Sequence, residues 1–121
     1  MSNIYLSGAT GFVGNNLVKY LLKAGYQVQA LQLREPLAQD ALVDGGVVIH
    51  LAGKAHDLKN ASDPKEYYEV NFELTKRLYD VFLSSRANKF IFLSSVKAVA
   101  DHTTKPLTEN ETPDPITHYG K

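Results

Sequence analysis

The stretch Ile4-Tyr5-Leu6-Ser7-Gly8-Ala9-Thr10-Gly11-Phe12-Val13-Gly14 decides how the chain is read. Residues 3–6 form a short apolar run suited to a buried strand. Glycines then recur every third residue, and residues 15–24 read as a helix. Gly8 lets the chain turn off the strand where a Cβ would clash. Gly11 lets the backbone approach a diphosphate, and Gly14 lets the helix pack closely. The helix N-terminus supplies unpaired N–H groups and a partial positive charge. At an average glycine frequency of about 7%, this spacing arises by chance roughly 3 times in 10,000 start positions. The glycines alone are therefore weak evidence, and the flanking strand and helix carry most of the signal.

Working outward, Val13, Leu17, Leu21 and Ala24 fall on one helical face, and Gly25 is placed to end the helix. Residues 27–33 read as a second strand whose three glutamines suit a sheet edge. Pro36 opens a possible short helix over residues 36–43, and Asp44-Gly45-Gly46 reads as a turn. Residues 47–52, Val-Val-Ile-His-Leu-Ala, have the apolar, β-branched character of a parallel strand covered on both faces. After a polar loop over 53–62, Asp63-Pro64-Lys65-Glu66 is a strong helix start. That helix is expected to reach about Ser85, with Tyr67, Val70, Leu74, Leu78, Val81 and Phe82 facing the core. Residues 90–93 read as the fourth strand, and residues from Val96 onward as a long loop.

This alternation predicts an α/β fold, a Rossmann-like doubly wound parallel sheet with helices on both faces. Right-handed crossovers give the strand order 2-1-3-4. Only about a dozen residues join the second strand to the third, so the sheet is expected to be trimmed to about four strands.

Composition narrows the function classes. The chain has 121 residues, a single domain's length, and its 44% hydrophobic content is ordinary for a globular protein. Thirteen basic residues balance thirteen acidic ones, so charge makes no case for nucleic acid or a membrane surface. Without cysteine there is no disulfide, thiolate nucleophile or thiolate metal site. The four histidines, His50, His56, His102 and His118, show no metal-ligand spacing. No apolar run is long enough to span a bilayer and no signal peptide is evident, so a cytoplasmic location is expected.

Taken together, GATGFVG (8–14), HLAGKAH (50–56), YYEVN (67–71), FIFLSS (90–95) and the terminal Tyr119-Gly120-Lys121 resemble the extended short-chain dehydrogenases/reductases. Within them the likeness is to the NAD-dependent epimerase/dehydratase group acting on nucleotide sugars, and it covers the whole chain. The resemblance implies that Gly8, Gly11, Phe12, Val13 and Gly14 bind the cofactor's pyrophosphate. It places the segment His50-Leu51-Ala52-Gly53 beside the adenosine and nicotinamide ribose, with Leu51, Ala52 and Gly53 as cofactor contacts, and makes Asn71 a supporting residue on the long helix. It also implies a catalytic pair: Ser95 hydrogen-bonds the substrate oxygen and Tyr119 is the base of a Tyr-x-x-x-Lys motif. Lowering a tyrosine pKa from about 10 to about 7 takes roughly 4 kcal/mol, a field that the motif's lysine and the nicotinamide would supply. NAD is the implied cofactor. Gln32 stands where relatives carry an acidic ribose ligand, and nearby Arg34 leaves NADP open.

The implied partners are a nucleotide-sugar substrate, with a UDP-sugar favoured, and a second copy in a homodimer of the full-length protein. The sequence ends before the motif's lysine and before any substrate-binding domain, so it reads as the N-terminal portion of a longer enzyme, inactive by itself. The alternative class is a non-catalytic NAD(P)-binding sensor or scaffold of the same fold. Plainer readings stand beside the functional ones: Ser95 as the cap of a strand end, Tyr119 as a surface tyrosine, Asn71 as a solvated helix residue, and Lys54 and His56 as loop residues.

Overall fold

The computed structural model describes residues 3–38, 40–42, 44–53 and 63–121. Four strands form one parallel sheet: β1 (Asn3–Ser7), β2 (Gln27–Leu31), β3 (Gly46–His50) and β4 (Ala87–Phe92). Their spatial order is β2-β1-β3-β4, as the crossover rule requires. β2 therefore lies at an edge, where its exposed glutamines meet solvent. β4 forms the other edge and leaves Ile91, Phe92 and neighbouring Leu93 exposed.

Side-chain alternation divides the core in two. Ile4 and Leu6 point to one face, where they meet Leu21, Leu17 and Val18 of helix α1 (Phe12–Lys23). Tyr5 and Val48 point to the other face and pack against Leu78, with Val81 and Phe82, of helix α3 (Leu74–Leu83). Helices thus cover both faces. Val13 and Ala24, expected in the α1 stripe, are instead exposed at the ends of the helix. α1 closes on a Schellman motif: Tyr26 N–H donates to Leu21 C=O, Gly25 N–H donates to Leu22 C=O, and Gly25 adopts φ +87°.

Other expectations need correction. Among the described residues of 36–43 there is no helix. Residues 36–38 are irregular and 40–42 form a turn, and they press Leu37 and fully buried Leu42 onto the core. A two-residue hydrophobic anchor fills this space without the regular backbone that Pro36 suggested. β2 stops at Leu31 rather than 33, and β3 stops at His50 rather than 52. β4 begins earlier than expected, at Ala87.

The long helix starts as read, as α2 (Pro64–Tyr68): Asp63 accepts from Lys65 N–H at 3.0 Å and Pro64 occupies the first turn. It does not run evenly. A π-helical turn (Glu69–Glu73) separates α2 from α3. Beyond β4, the expected loop contains a short 3₁₀ turn, Val96–Ala98. The tail folds back onto this region through Asp114 N–H donating to Val99 C=O at 2.8 Å and Thr117 N–H donating to Asp101 at 3.2 Å.

Candidate functional site

All four strands are parallel, so their carboxyl ends share one edge, and most of the expected site residues lie there. Gly8 follows β1 with φ +75°. A Cβ on Gly8 would lie 2.7 Å from Ala52 N and 2.9 Å from the Leu51 carbonyl carbon. The glycine loop and the segment after β3 therefore touch backbone to backbone. Gly14 has an equally firm requirement, because its Cβ would fall 2.0 Å from Gly8 C=O. The helix packs on the loop itself at this point.

Gly11 is different. Its φ of −71° and ψ of 173° suit any residue, and its Cβ would meet only Gly8 C=O, at 3.4 Å. Nothing among the described residues demands glycine there. As N-cap of α1, Gly11 has no side chain with which to cap Phe12, Val13 or Gly14, and the first turn holds no acidic residue. The helix thus presents uncapped N–H groups and the positive end of its dipole, an arrangement suited to an anion. Phe12, 88% exposed, leaves its side chain in solvent beside them.

Leu51, Ala52 and Gly53 continue past β3. Leu51 N–H donates to Ser7 C=O at 3.2 Å. The N–H groups of Leu51 and Ala52 also both donate to Ser7 Oγ at 3.2 Å. Asn71 lies in the π turn, its Oδ1 3.3 Å from where a Cβ on Gly53 would sit. These segments form a continuous wall from Gly8 through Gly53 to Asn71.

Thr75, which sequence reasoning passed over, and Ser7 and His50, which it gave no positioning role, hold that wall. Ser7 and His50 are register partners on adjacent strands, both on the α3 face and almost fully buried. Ser7 Oγ lies 2.5 Å from His50 Nδ1, and His50 Nε2 lies 2.7 Å from Thr75 Oγ1. Thr75 O–H donates to the Asn71 carbonyl at 2.8 Å. Burial lowers the His50 pKa below its ordinary value of 6.5, which favours the neutral ring. The available sequence signal was period two: Ser7 follows Tyr5, and His50 follows Val48, on a face that is otherwise apolar.

The remaining candidates lie further along the same edge. Gln32 is exposed just past β2. Ser95, three residues past β4, caps the 3₁₀ turn by accepting from Lys97 N–H at 3.2 Å. Tyr119 precedes Gly120, whose Cβ would fall 2.3 Å from Lys97 C=O. That backbone packing returns the end of the chain to the turn that Ser95 opens. Lys54 and His56 lie outside the described residues. No described helix is long and apolar enough to cross a membrane.

The family model for the NAD dependent epimerase/dehydratase family matches residues 4–121. Among curated proteins, the chain is similar to UDP-glucose 4-epimerase of Vibrio cholerae, at 33% identity over 98% of this chain and 43% of that protein. It is also similar to N-acetyl-alpha-D-glucosaminyl-diphospho-ditrans,octacis-undecaprenol 4-epimerase of Escherichia coli O157:H7, at 30% identity over 98% of this chain and 40% of that protein. Among solved structures, a short-chain dehydrogenase/reductase superfamily protein from Agrobacterium tumefaciens with bound NAD superposes with a TM-score of 0.84. It is 25% identical, and the match covers 98% of this chain and 40% of that one. The chain spans less than half the length of these relatives. With the family model matching from the first strand to the last residue, this chain belongs to the NAD dependent epimerase/dehydratase family.

Proposed function

We propose that the chain is the cofactor-binding portion of a nucleotide-sugar epimerase or dehydratase, and that it binds NAD across the carboxyl ends of β1 and β3. The observation that supports this reading is Gly11, a glycine that no packing among the described residues requires, at the head of a helix whose N-cap has no side chain. A diphosphate is the group that fits an N–H cluster needing bare backbone. Gln32, at the end of β2, is placed to hydrogen-bond a ribose hydroxyl, and Leu51, Ala52 and Gly53 line the ribose side.

When bound, NAD supplies hydride acceptance and return at the sugar carbon. The protein's part is positioning and proton transfer. Tyr119 takes the proton of the sugar hydroxyl as its carbon is oxidised, and Ser95 hydrogen-bonds the same oxygen. The cap that Ser95 provides to Lys97 N–H fixes its side chain and leaves its hydroxyl hydrogen available to donate. The similarity to UDP-glucose 4-epimerase favours a UDP-sugar as the substrate of the full-length protein.

Two measurements test this reading. Calorimetric titration of the chain with NAD and NADP should show binding. Turnover of UDP-sugars by the full-length protein should fall by about 10²–10⁴ in Tyr119→Phe, the usual size of a lost general base. No NAD binding, or full activity in Tyr119→Phe, refutes the respective half of the proposal.

A further inference from the structure

Among the described residues, the hydrogen-bonded chain Ser7–His50–Thr75–Asn71, buried at Ser7 and His50 and half-buried beyond, has one arrangement of protons that satisfies every member. Ser7 Oγ already accepts from Leu51 N–H and Ala52 N–H. Its own proton then has one acceptor among these partners, His50 Nδ1. At the other end, Thr75 gives its proton to the Asn71 carbonyl, so Thr75 Oγ1 must accept from His50 Nε2–H. Both ends thus require the same tautomer, neutral His50 with its proton on Nε2.

The Asn71 carbonyl belongs to the π turn, where the regular i→i−4 ladder is interrupted. Phe92, the register partner of His50 on β4, stacks beside the ring at 5.8 Å between centroids and restricts its rotation. Loop, strand and π turn are therefore tied by hydrogen bonds that run in one direction.

We propose that Ser7, His50 and Thr75 are positioning residues. Their ordered relay fixes the 51–53 segment against the π turn and so sets the geometry of the wall on which the cofactor's ribose rests. Thr75, on a different element from the glycine loop, is the joint through which the helix governs cofactor affinity. This rests on the NAD-binding reading above, but the relay itself is read out independently.

The experiment compares the intact chain with Thr75→Val, which keeps the shape and removes the hydroxyl, and with Thr75→Ser, which restores it. Long-range ¹H–¹⁵N spectra of the intact chain should show His50 neutral and protonated on Nε2. In Thr75→Val, the Leu51 and Ala52 amides should exchange faster with solvent, and NAD affinity should fall about tenfold, the equivalent of one lost buried hydrogen bond. Thr75→Ser should restore both. Affinities are compared at a temperature where circular dichroism shows all three proteins folded.

An Nδ1-protonated His50 overturns the relay's direction. Unchanged amide exchange and unchanged affinity in a folded Thr75→Val overturn the positioning role. Affinity unchanged while only the melting temperature falls reduces Thr75 to a structural residue and likewise overturns it. If the intact chain binds no NAD, the functional reading fails, while tautomer and amide exchange still decide the relay.

Discussion

Replacing Gly11 with alanine should separate binding from folding. The backbone there, φ −71° and ψ 173°, is open to alanine, and the added methyl would touch only Gly8 C=O at an ordinary 3.4 Å. Restricting the unfolded chain should stabilise the fold by about 0.4–1 kcal/mol. Glycine's advantage over alanine at an N-cap offsets this by a similar amount. The net change should lie within about 1 kcal/mol of zero, which for a chain of this size moves Tm by roughly 4 °C or less. NAD binding should behave differently. In the proposed site the methyl would stand at the head of the helix, on the side left open for the diphosphate, and overpacking of this kind costs about 1–3 kcal/mol. Converted at about 1.4 kcal/mol per decade, that is a 5- to 150-fold weaker Kd. Differential scanning calorimetry and NAD titration of the same preparation provide both readings. An unchanged Kd would remove the glycine loop from the site, and an unfolded Gly11→Ala would show that the packing around residue 11 has been misread.

Other substitutions should follow from the same geometry. Gly14→Ala forces a Cβ to 2.0 Å from Gly8 C=O, so urea denaturation in the absence of cofactor should show a loss of about 3 kcal/mol, the upper end for overpacking. Asp63→Ala removes the cap that accepts from Lys65 N–H, and the same assay should register a loss of about 0.5–2 kcal/mol. Stability should also depend on pH through His50. Its folded pKa is lowered, so below its ordinary value of 6.5 the unfolded chain takes up a proton that the folded chain refuses. Stability should therefore be constant above that value and fall as pH drops below it, by at most about 1.4 kcal/mol per pH unit from this one group. Measured stability that rises on acidification through this window would contradict a neutral buried His50.

The parts legible in sequence were those set by local rules. The strand–glycine–helix unit, the Asp63 cap and the Gly25 stop each depend on a few adjacent residues, and each lies where its residue types demand. Strand order followed from handedness once the elements were placed. What escaped were features decided by contacts between distant segments. Leu37 and Leu42 cover the core without a helix because tertiary packing, not Pro36, sets the backbone there. The π turn leaves no mark in the hydrophobic pattern, since Leu74, Leu78 and Val81 keep helical spacing after it. Ser7 and Thr75 look like ordinary polar residues until the register sets Ser7 beside His50 and the helix brings Thr75 over the ring.

The π turn also separates two kinds of change that the chain could undergo. A substitution within Glu69–Glu73 alters one side chain and leaves the path of the helix alone. Deleting one residue there would convert the wide turn to even α-helical pitch and leave its two flanks close to their present orientation, because a π turn carries one residue more than an α turn over about the same rotation. Each residue of an α-helix turns by about 100°, so a deletion within Pro64–Tyr68 or Leu74–Leu83 would instead rotate one side relative to the other and carry the Asp63 end or the core-facing Leu78 from its present seat. A library of single-residue deletions should therefore mark Glu69–Glu73 as the most tolerant stretch of the helix.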